Sequence, residues 1–363
     1  MRTRLIRWLA LCLAVMFLAA CVPSAPWRQE SFVFGTRVEL LITGVPEVQA
    51  RAAGNQVLAE FDRLHRTFHA WQPSELSSLN AAIAAGKPFD ASAELASYIH
   101  EAQAIAAASD YLFDPGIGRL IALWGFQTDD IVPHLPDEAA LKALLAQRPS
   151  IADLHLDGQR VTSRNKAVAL DFGGYLKGVA LDHAAAILRR AGVHNALINI
   201  GGNVMALGTK NGTPWRVGIQ HPRPAQEGGA ALASLELHNG EAIGTSGDYH
   251  RYFESGGRRY CHLLDPRTGR PADGTQAVTV LIAPEAGSAA GMRSDALSKP
   301  LFIAGQDWLR QAQKLGVAAA LKVGADGTVS ATPVMRARLN METSNSPSKA
   351  MTGLPIHNDR LLE

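Results

Sequence analysis

The chain has 363 residues, 47% of them hydrophobic and 19% charged, with a formal net charge of +2. That near balance, with no basic tract, argues against a nucleic-acid partner. The length and apolar content suffice for an ordinary buried core, as one large domain or two.

The N-terminus carries Arg2, Arg4 and Arg7, then an apolar run from Trp8 to Ala20 that ends Leu18-Ala19-Ala20-Cys21. A charged start, a short apolar stretch and small residues before a cut site are the parts of a secretory signal peptide. The run is too short to span a bilayer, which takes roughly 20 residues. Leu-Ala-Ala-Cys resembles the bacterial lipobox. Residues 1–20 therefore read as a signal peptide and Cys21 as the lipidated first residue of an exported lipoprotein, held on the periplasmic side of a bacterial membrane. Of the three cysteines, Cys12 leaves with the signal and Cys21 is acylated, so Cys261 has no partner for an internal disulfide.

Residues 21–30, with Pro23 and Pro26, read as a tether, and 31–337 as the folded domain. Phe32 to Thr43 has strand composition. Residues 47–68 read as a helix, with Val48, Ala52, Leu58, Phe61, Leu64 and Phe68 on its apolar face. A turn at Pro73-Ser74-Glu75 starts a short helix through Leu79, and helices are expected over 91–108 and 136–148. Ala167 to Phe172 reads as a buried strand. Gly173-Gly174 makes a turn, and a helix follows that Gly192 terminates. Asn195–Ile200 is a strand, and Gly201-Gly202 a second turn. Strands are expected at 216–220, 233–237, 260–264 and 277–282, then a last helix, two short strands and a disordered polar tail from 338. The pattern is mixed α+β, with no regular βα alternation and no internal repeat.

Three segments carry chemistry. In Asp171-Phe-Gly-Gly-Tyr-Leu-Lys177, a strand end, two glycines and a helix start favour an anion, with Lys177 adding charge. A plain strand–turn–helix with a surface lysine fits the segment equally well. His262 falls inside an expected strand, as either a hydrogen-bonded structural residue or a base beside a phosphate. Ser294-Asp295-Ala-Leu-Ser298-Lys299-Pro300 opens the last helix, capped by Ser294 or by Ser298. Asp295 and Lys299 sit at the spacing of an ion pair, and the carboxylate and hydroxyls also suit a hard cation.

Together these segments resemble the FAD:protein FMN transferase family, ApbE. The matching pieces include Phe34-Gly-Thr36, Ser74 to Asn80, Phe113-Asp-Pro to Phe126, Leu170 to Asp182, Asn199 to Gly202, Thr245 to Tyr249, His262 to Gly269 and Asp295 to Gly305. The resemblance implies an α+β fold of mixed sheets and packed helices, with a ligand cleft between the layers. It implies an enzyme that takes FAD as substrate, passes FMN to a Ser or Thr hydroxyl of a membrane-associated acceptor flavoprotein and releases AMP, with Mg²⁺ assisting. It places Leu112, Phe113, Asp114, Asp171 and Lys177 against FAD. Phe34 stands where the family usually has Met, Trp71 lies where a side chain meets the flavin, and His262 is the candidate general base. The metal would take the Gly174 carbonyl, Asp295 and Ser298.

One position departs from the pattern: Lys299 replaces the family's metal-ligating Thr. An ammonium cannot ligate a cation and repels it. Lys299 then stands in for the metal, or points away and leaves Mg²⁺ on the other ligands, or marks an FAD-binding lipoprotein without transferase activity. Hydrolysis of FAD to FMN and AMP is a further alternative on the same site.

Overall fold

The alternating residues near the start of the domain fold as a hairpin and not as one strand. Strands β1 (Trp27–Val33) and β2 (Thr36–Thr43) pair in antiparallel register from Trp27↔Ile42 to Val33↔Thr36. The two residues between them, Phe34 and Gly35, both have positive φ, 57° and 66°. That is the backbone of a two-residue turn whose twist matches its strands. The computed structural model describes residues 25–223, 231–285 and 289–341. The expected signal peptide, Cys21 and segment 342–363 lie outside them. The expected tether is shorter than 21–30, because β1 begins at Trp27.

The chain continues through α1 (Glu47–Thr67), α2 (Glu75–Ala85), β3 (Phe89–Asp90), α3 (Ala93–Ala108), α4 (Gly118–Leu123) and α5 (Glu138–Ala146). Next come β4 (Leu154–Asp157), β5 (Arg160–Ser163), α6 (Leu176–Arg190), β6 (Asn195–Ile200), β7 (Asn203–Leu207), β8 (Trp215–Ile219) and β9 (Ala233–Leu237). Strands β10 (Ala242–Gly247), β11 (Tyr252–Ser255), β12 (Arg258–Cys261), β13 (Leu264–Asp265), β14 (Arg270–Pro271) and β15 (Thr275–Ile282) follow. The last elements are α7 (Ala290–Ile303), α8 (Trp308–Lys314), β16 (Ala319–Gly324), β17 (Val329–Ala331), α9 (Pro333–Arg338) and β18 (Leu339–Met341). Among the described residues no helix is long and apolar enough to cross a membrane.

An eight-stranded sheet in the order β1-β2-β6-β7-β10-β15-β16-β17 forms the centre. Strand β15 shows how its two faces are used. Val278, Val280 and Ile282 join the core that includes α1, α6 and α7, whereas Ala277 and Leu281 meet the small sheet β18-β9-β8. Period-two side chains on a strand buried on both faces read as a continuous apolar run, as TQAVTVLI does. A third cluster, around Trp124, Phe126, Leu141 and Phe253, holds α4 and α5 against the β11–β12 hairpin. The cleft opens where one end of the large sheet faces this third cluster.

Several expected elements are displaced, each for a physical reason. The buried face of α1 is Ala50, Ala53, Gly54, Val57, Phe61 and Leu64, so Val48 and Ala52 point to solvent. Helix α2 runs on to Ala85 behind a capping box of Ser74 and Ser77. Ala167–Phe172 is buried but joins no sheet. The side-chain amide of Asn80 accepts from the Leu170 N–H at 2.7 Å and donates to its carbonyl at 2.9 Å. The loop at Pro115–Gly118 takes the backbone groups of Ala169 and Asp171. Residues Leu339–Met341, past the expected boundary at 338, are a strand, since β18 pairs with β9.

The last large helix begins at neither Ser294 nor Ser298. Helix α7 starts at Ala290, and its first free N–H groups, Gly291 and Met292, donate to the two carboxylate oxygens of Asp182 at 2.9 and 2.7 Å. A cap from a neighbouring helix leaves no signature in the local sequence. Asp182→Ala should orphan both donors and lower unfolding free energy by about 2 kcal/mol, the upper range for a lost cap. Urea denaturation followed by circular dichroism measures this, and an unchanged midpoint would rule the cap out.

Candidate functional site

The cleft is a cavity of about 380 Å³. The expected residues Phe34, Trp71, Leu112, Phe113, Asp114, Asp171, Gly174, Lys177 and His262 all line it. Asp295 and Ser298 do not; they lie fully buried behind it, and Lys299 stands at the wall in their place.

One wall is aromatic. The β1–β2 turn holds Phe34 in the left-handed region, where a bulky residue costs on the order of 1 kcal/mol. Its ring packs on Phe61 at 6.0 Å and edge-on to His65 at 5.6 Å. His65 meets His69 at 4.9 Å, and His69 meets Trp71 at 4.4 Å. The His69 ring is oriented by the Gln72 N–H, which donates to Nδ1 at 3.1 Å. Trp71 remains 38% exposed, so this ladder of rings runs from the core to the rim. Flat polarizable faces of this kind suit a planar aromatic ligand. Leu112 and Phe113 add buried apolar surface, with Phe113 set against Tyr175.

The facing wall is polar. Asp171 accepts from the Gly173 N–H at 2.9 Å through Oδ1 and from Gln127 Nε2 at 3.0 Å through Oδ2. These bonds fix the Gly173–Gly174 turn that opens α6. Tyr175 gives α6 no cap from its own side chain, although Asp295 takes the Gly178 N–H, and Lys177 in the first turn lines the cavity without a carboxylate partner among the described residues. The positive end of the helix dipole and a cation together favour an anion. Asp114 has a bracing function: its Oδ1 accepts from the N–H groups of Gly116 at 2.8 Å and Ile151 at 2.9 Å. Burial pushes its carboxyl above the ordinary range, against the pull of those bonds.

His262 lies in the break between β12 and β13, not inside a strand. Its Nδ1 is 3.1 Å from the Arg251 carbonyl oxygen. A carbonyl only accepts, so Nδ1 carries the proton and Nε2 keeps its lone pair. Burial, with the nearby charges of Lys177, Arg251 and Lys299, depresses the imidazole to about 3. The ring is therefore neutral at physiological pH, as a general base must be. Arg251 is itself pinned, donating from Nη2 to the carbonyls of Phe126 at 2.8 Å and Thr128 at 2.7 Å.

The structure adds site residues that motif reading passed over, notably His65, His69, His250 and Arg251. The first two stand four apart at the end of α1, a spacing visible in the sequence. The others directly follow the Thr245–Tyr249 motif.

The donor set expected for Mg²⁺ does not fit a divalent ion. Asp295 Oδ2 accepts from the Gly178 N–H at 2.9 Å, and Oδ1 holds the Lys299 ammonium. The Ser298 hydroxyl donates to the Asp295 carbonyl at 2.7 Å and so accepts from Ser246, also at 2.7 Å. Gly174 faces the Lys299 side chain: a Cβ there would stand 3.2 Å from Cε. The i,i+4 ion pair visible in the sequence thus forms, but in the interior. Burial lowers the ammonium's pKa, the Asp295 charge opposes that, and Lys177 reinforces it. Elsewhere Glu60, Glu94 and His183 converge, but Arg63 already bonds both carboxylates at 2.7 Å.

These features can be set beside known proteins. The model of the ApbE family matches residues 34–321. A FAD:protein FMN transferase of Rhodobacter capsulatus is 44% identical over 326 residues, covering 89% of this chain; the chain spans 60% of that relative's length. Another, of Klebsiella pneumoniae, is 29% identical over 282 residues, 75% of this chain and 79% of that protein. The crystal structure of the ApbE protein of Thermotoga maritima superposes with a TM-score of 0.77 at 29% identity, covering 86% of this chain and 99% of that one. With most of its length matched and its sheets and helices shared, this chain belongs to the ApbE family.

Proposed function

We propose that the cleft binds FAD and that the chain transfers FMN from it to a Ser or Thr hydroxyl of an acceptor flavoprotein, with AMP as leaving group. The observation that carries this reading is His262: a half-buried, neutral imidazole, with Nε2 left unprotonated, that lines the same cavity as Lys177. The aromatic ladder suits the isoalloxazine ring, and the Gly173–Gly174 turn with Lys177 suits the pyrophosphate. The names of the Rhodobacter and Klebsiella relatives agree with it. His262 takes the proton of the attacking hydroxyl at Nε2, while Nδ1–H on the Arg251 carbonyl keeps the ring oriented. Catalysis of phosphoryl transfer is chiefly positioning and charge stabilisation, which a rigid cationic wall supplies. The side chains expected to hold Mg²⁺, Asp295 and Ser298, are committed to protein partners.

We further infer that the acceptor is met at a membrane. The support is the signal-like N-terminus and Cys21, which stands six positions before the start of β1. Cys21→Ala should abolish incorporation of labelled fatty acid and move the protein from the membrane to the soluble fraction; retention of both label and location would refute the anchor.

The transferase reading is checked by incubating the chain with FAD and a candidate acceptor, then viewing flavin fluorescence in a denaturing gel. A fluorescent acceptor band and released AMP are expected. Free FMN with AMP and no band would make water the acceptor, and no product at all would leave a flavin-binding protein. His262→Gln should keep FAD binding yet slow transfer by about 10²- to 10⁴-fold, the usual contribution of a general base.

The pH dependence has a definite sign. A base must be unprotonated, and a depressed pKa keeps His262 so well below the ordinary 6.5. The transfer rate should therefore stay level as pH falls from 7 towards 5. A half-maximal loss centred near 6.5 in the rate profile would contradict this protonation state.

A further inference from the structure

Lys299 is a costly residue to bury. It is 8% exposed, on a carboxylate with no exposure at all, inside α7 and next to Pro300. Replacing a buried ion pair by apolar side chains is often neutral or stabilising, so stability alone is a weak reason for the pair. Its geometry points elsewhere. An ammonium has three donors. Two are used within one helical turn, on the Asp295 carbonyl at 2.8 Å and on Asp295 Oδ1. The third has no protein acceptor among the described residues, and the side chain lines the cavity over Gly174. Lys177 and Arg251 line the same cavity, so three cations share one pocket.

Resting on the transferase reading above, we propose that the Lys299 ammonium is the resident cation of this site, holding the pyrophosphate and assisting its cleavage without a bound divalent metal. Asp295 holds that ammonium as it would hold an ion, and the Gly178 N–H occupies the remaining oxygen. In the step, the acceptor hydroxyl oxygen bonds to the flavin-side phosphorus. The bond from that phosphorus to the bridging oxygen breaks, and its electron pair leaves on AMP. The hydroxyl proton passes to His262 Nε2, and Lys299 neither gives nor takes a proton in the step. An ion fixed by the chain cannot be chelated or diluted away.

Two readouts on the full-length protein test this, FAD binding by flavin fluorescence and acceptor flavinylation, each with EDTA or with added Mg²⁺. Both should agree within about twofold between the two conditions, and calorimetric titration with Mg²⁺ alone should show no site. Lys299→Met should weaken FAD binding ten- to a hundredfold, the worth of a charged hydrogen bond. Lys299→Thr should bind FAD weakly in EDTA and recover when Mg²⁺ is added. If Lys299→Met does not fold because Asp295 is left unpaired, the double change with Asp295→Asn replaces it. EDTA-sensitive binding by the unaltered protein, or full affinity in either Lys299→Met protein, overturns the proposal. FAD binding indifferent to chelation but without transfer would sink the transferase reading and leave the cation role standing. Transfer that requires Mg²⁺ would do the reverse, and no FAD binding under any condition would overturn both.

Discussion

Gly178 and Gly291 meet where α6 packs against α7, each carbonyl oxygen lying where a Cβ on the other would stand. Any side chain at either position would force the helices apart. Close contact lets each helix supply a carboxylate to the other's backbone. Asp182 of α6 caps the start of α7, and Asp295 of α7 accepts the Gly178 N–H of α6. The exchange fixes both helices in rotation and in height. Lys177 and Lys299 are thereby delivered to one cavity from different helices. Loosening the contact would disturb the charge arrangement and also the core that β15 shares with both helices.

The cavity's electrostatics follow from that arrangement. Lys177, Lys299 and Arg251 face a pocket whose carboxylates are largely committed to hydrogen bonds with the protein. Asp114 braces two backbone amides, and Asp171 holds the Gly-rich turn and Gln127. Burial first, and then this positive excess, depresses the His262 imidazole, and the same excess favours a polyanion. In the proposed function one charge distribution thus serves binding and proton transfer together. It also sets a limit: a second positive charge as large as a divalent ion, next to Lys299 and with Asp295 already bonded, would be repelled at close range.

Features set by local chemistry were legible in the sequence, and features set by distant partners were not. Gly192 ends α6 as expected: its N–H donates to Arg189 and that of Val193 to Leu188, with Gly192 at φ 73°. The Asp295–Lys299 pair follows from helical spacing alone. By contrast, the hairpin at Phe34 was hidden because Phe is not a turn residue, and only the flanking pairing forces it into the left-handed region. The start of α7 was hidden because its cap is Asp182. Ala167–Phe172 has a strand's composition, but Asn80 supplies from a side chain the bonds that a neighbouring strand would. The metal motif misled for a related reason: residue types suited to a cation were present, but their lone pairs were already in use.

The hairpin also bears on where an acceptor can be reached. Its turn presents Phe34 to the cavity, while its other end, Trp27, lies on the side of the proposed lipid on Cys21. Residues 22–26 can extend at most about 18 Å, at roughly 3.5 Å per residue. The seven residues of β1 add about 23 Å at ~3.3 Å each, so the cavity stays within about 40 Å of an anchored bilayer surface. A hydroxyl buried in the membrane plane would require the cavity to lie against the lipid, yet in the proposed function the rim residue Trp71 and the cationic wall serve a water-soluble, charged donor. An acceptor that displays its Ser or Thr on a loop or domain standing clear of the bilayer, but within that reach, satisfies both constraints. Under the proposed anchoring, the tether raises the local concentration of such acceptors relative to soluble ones.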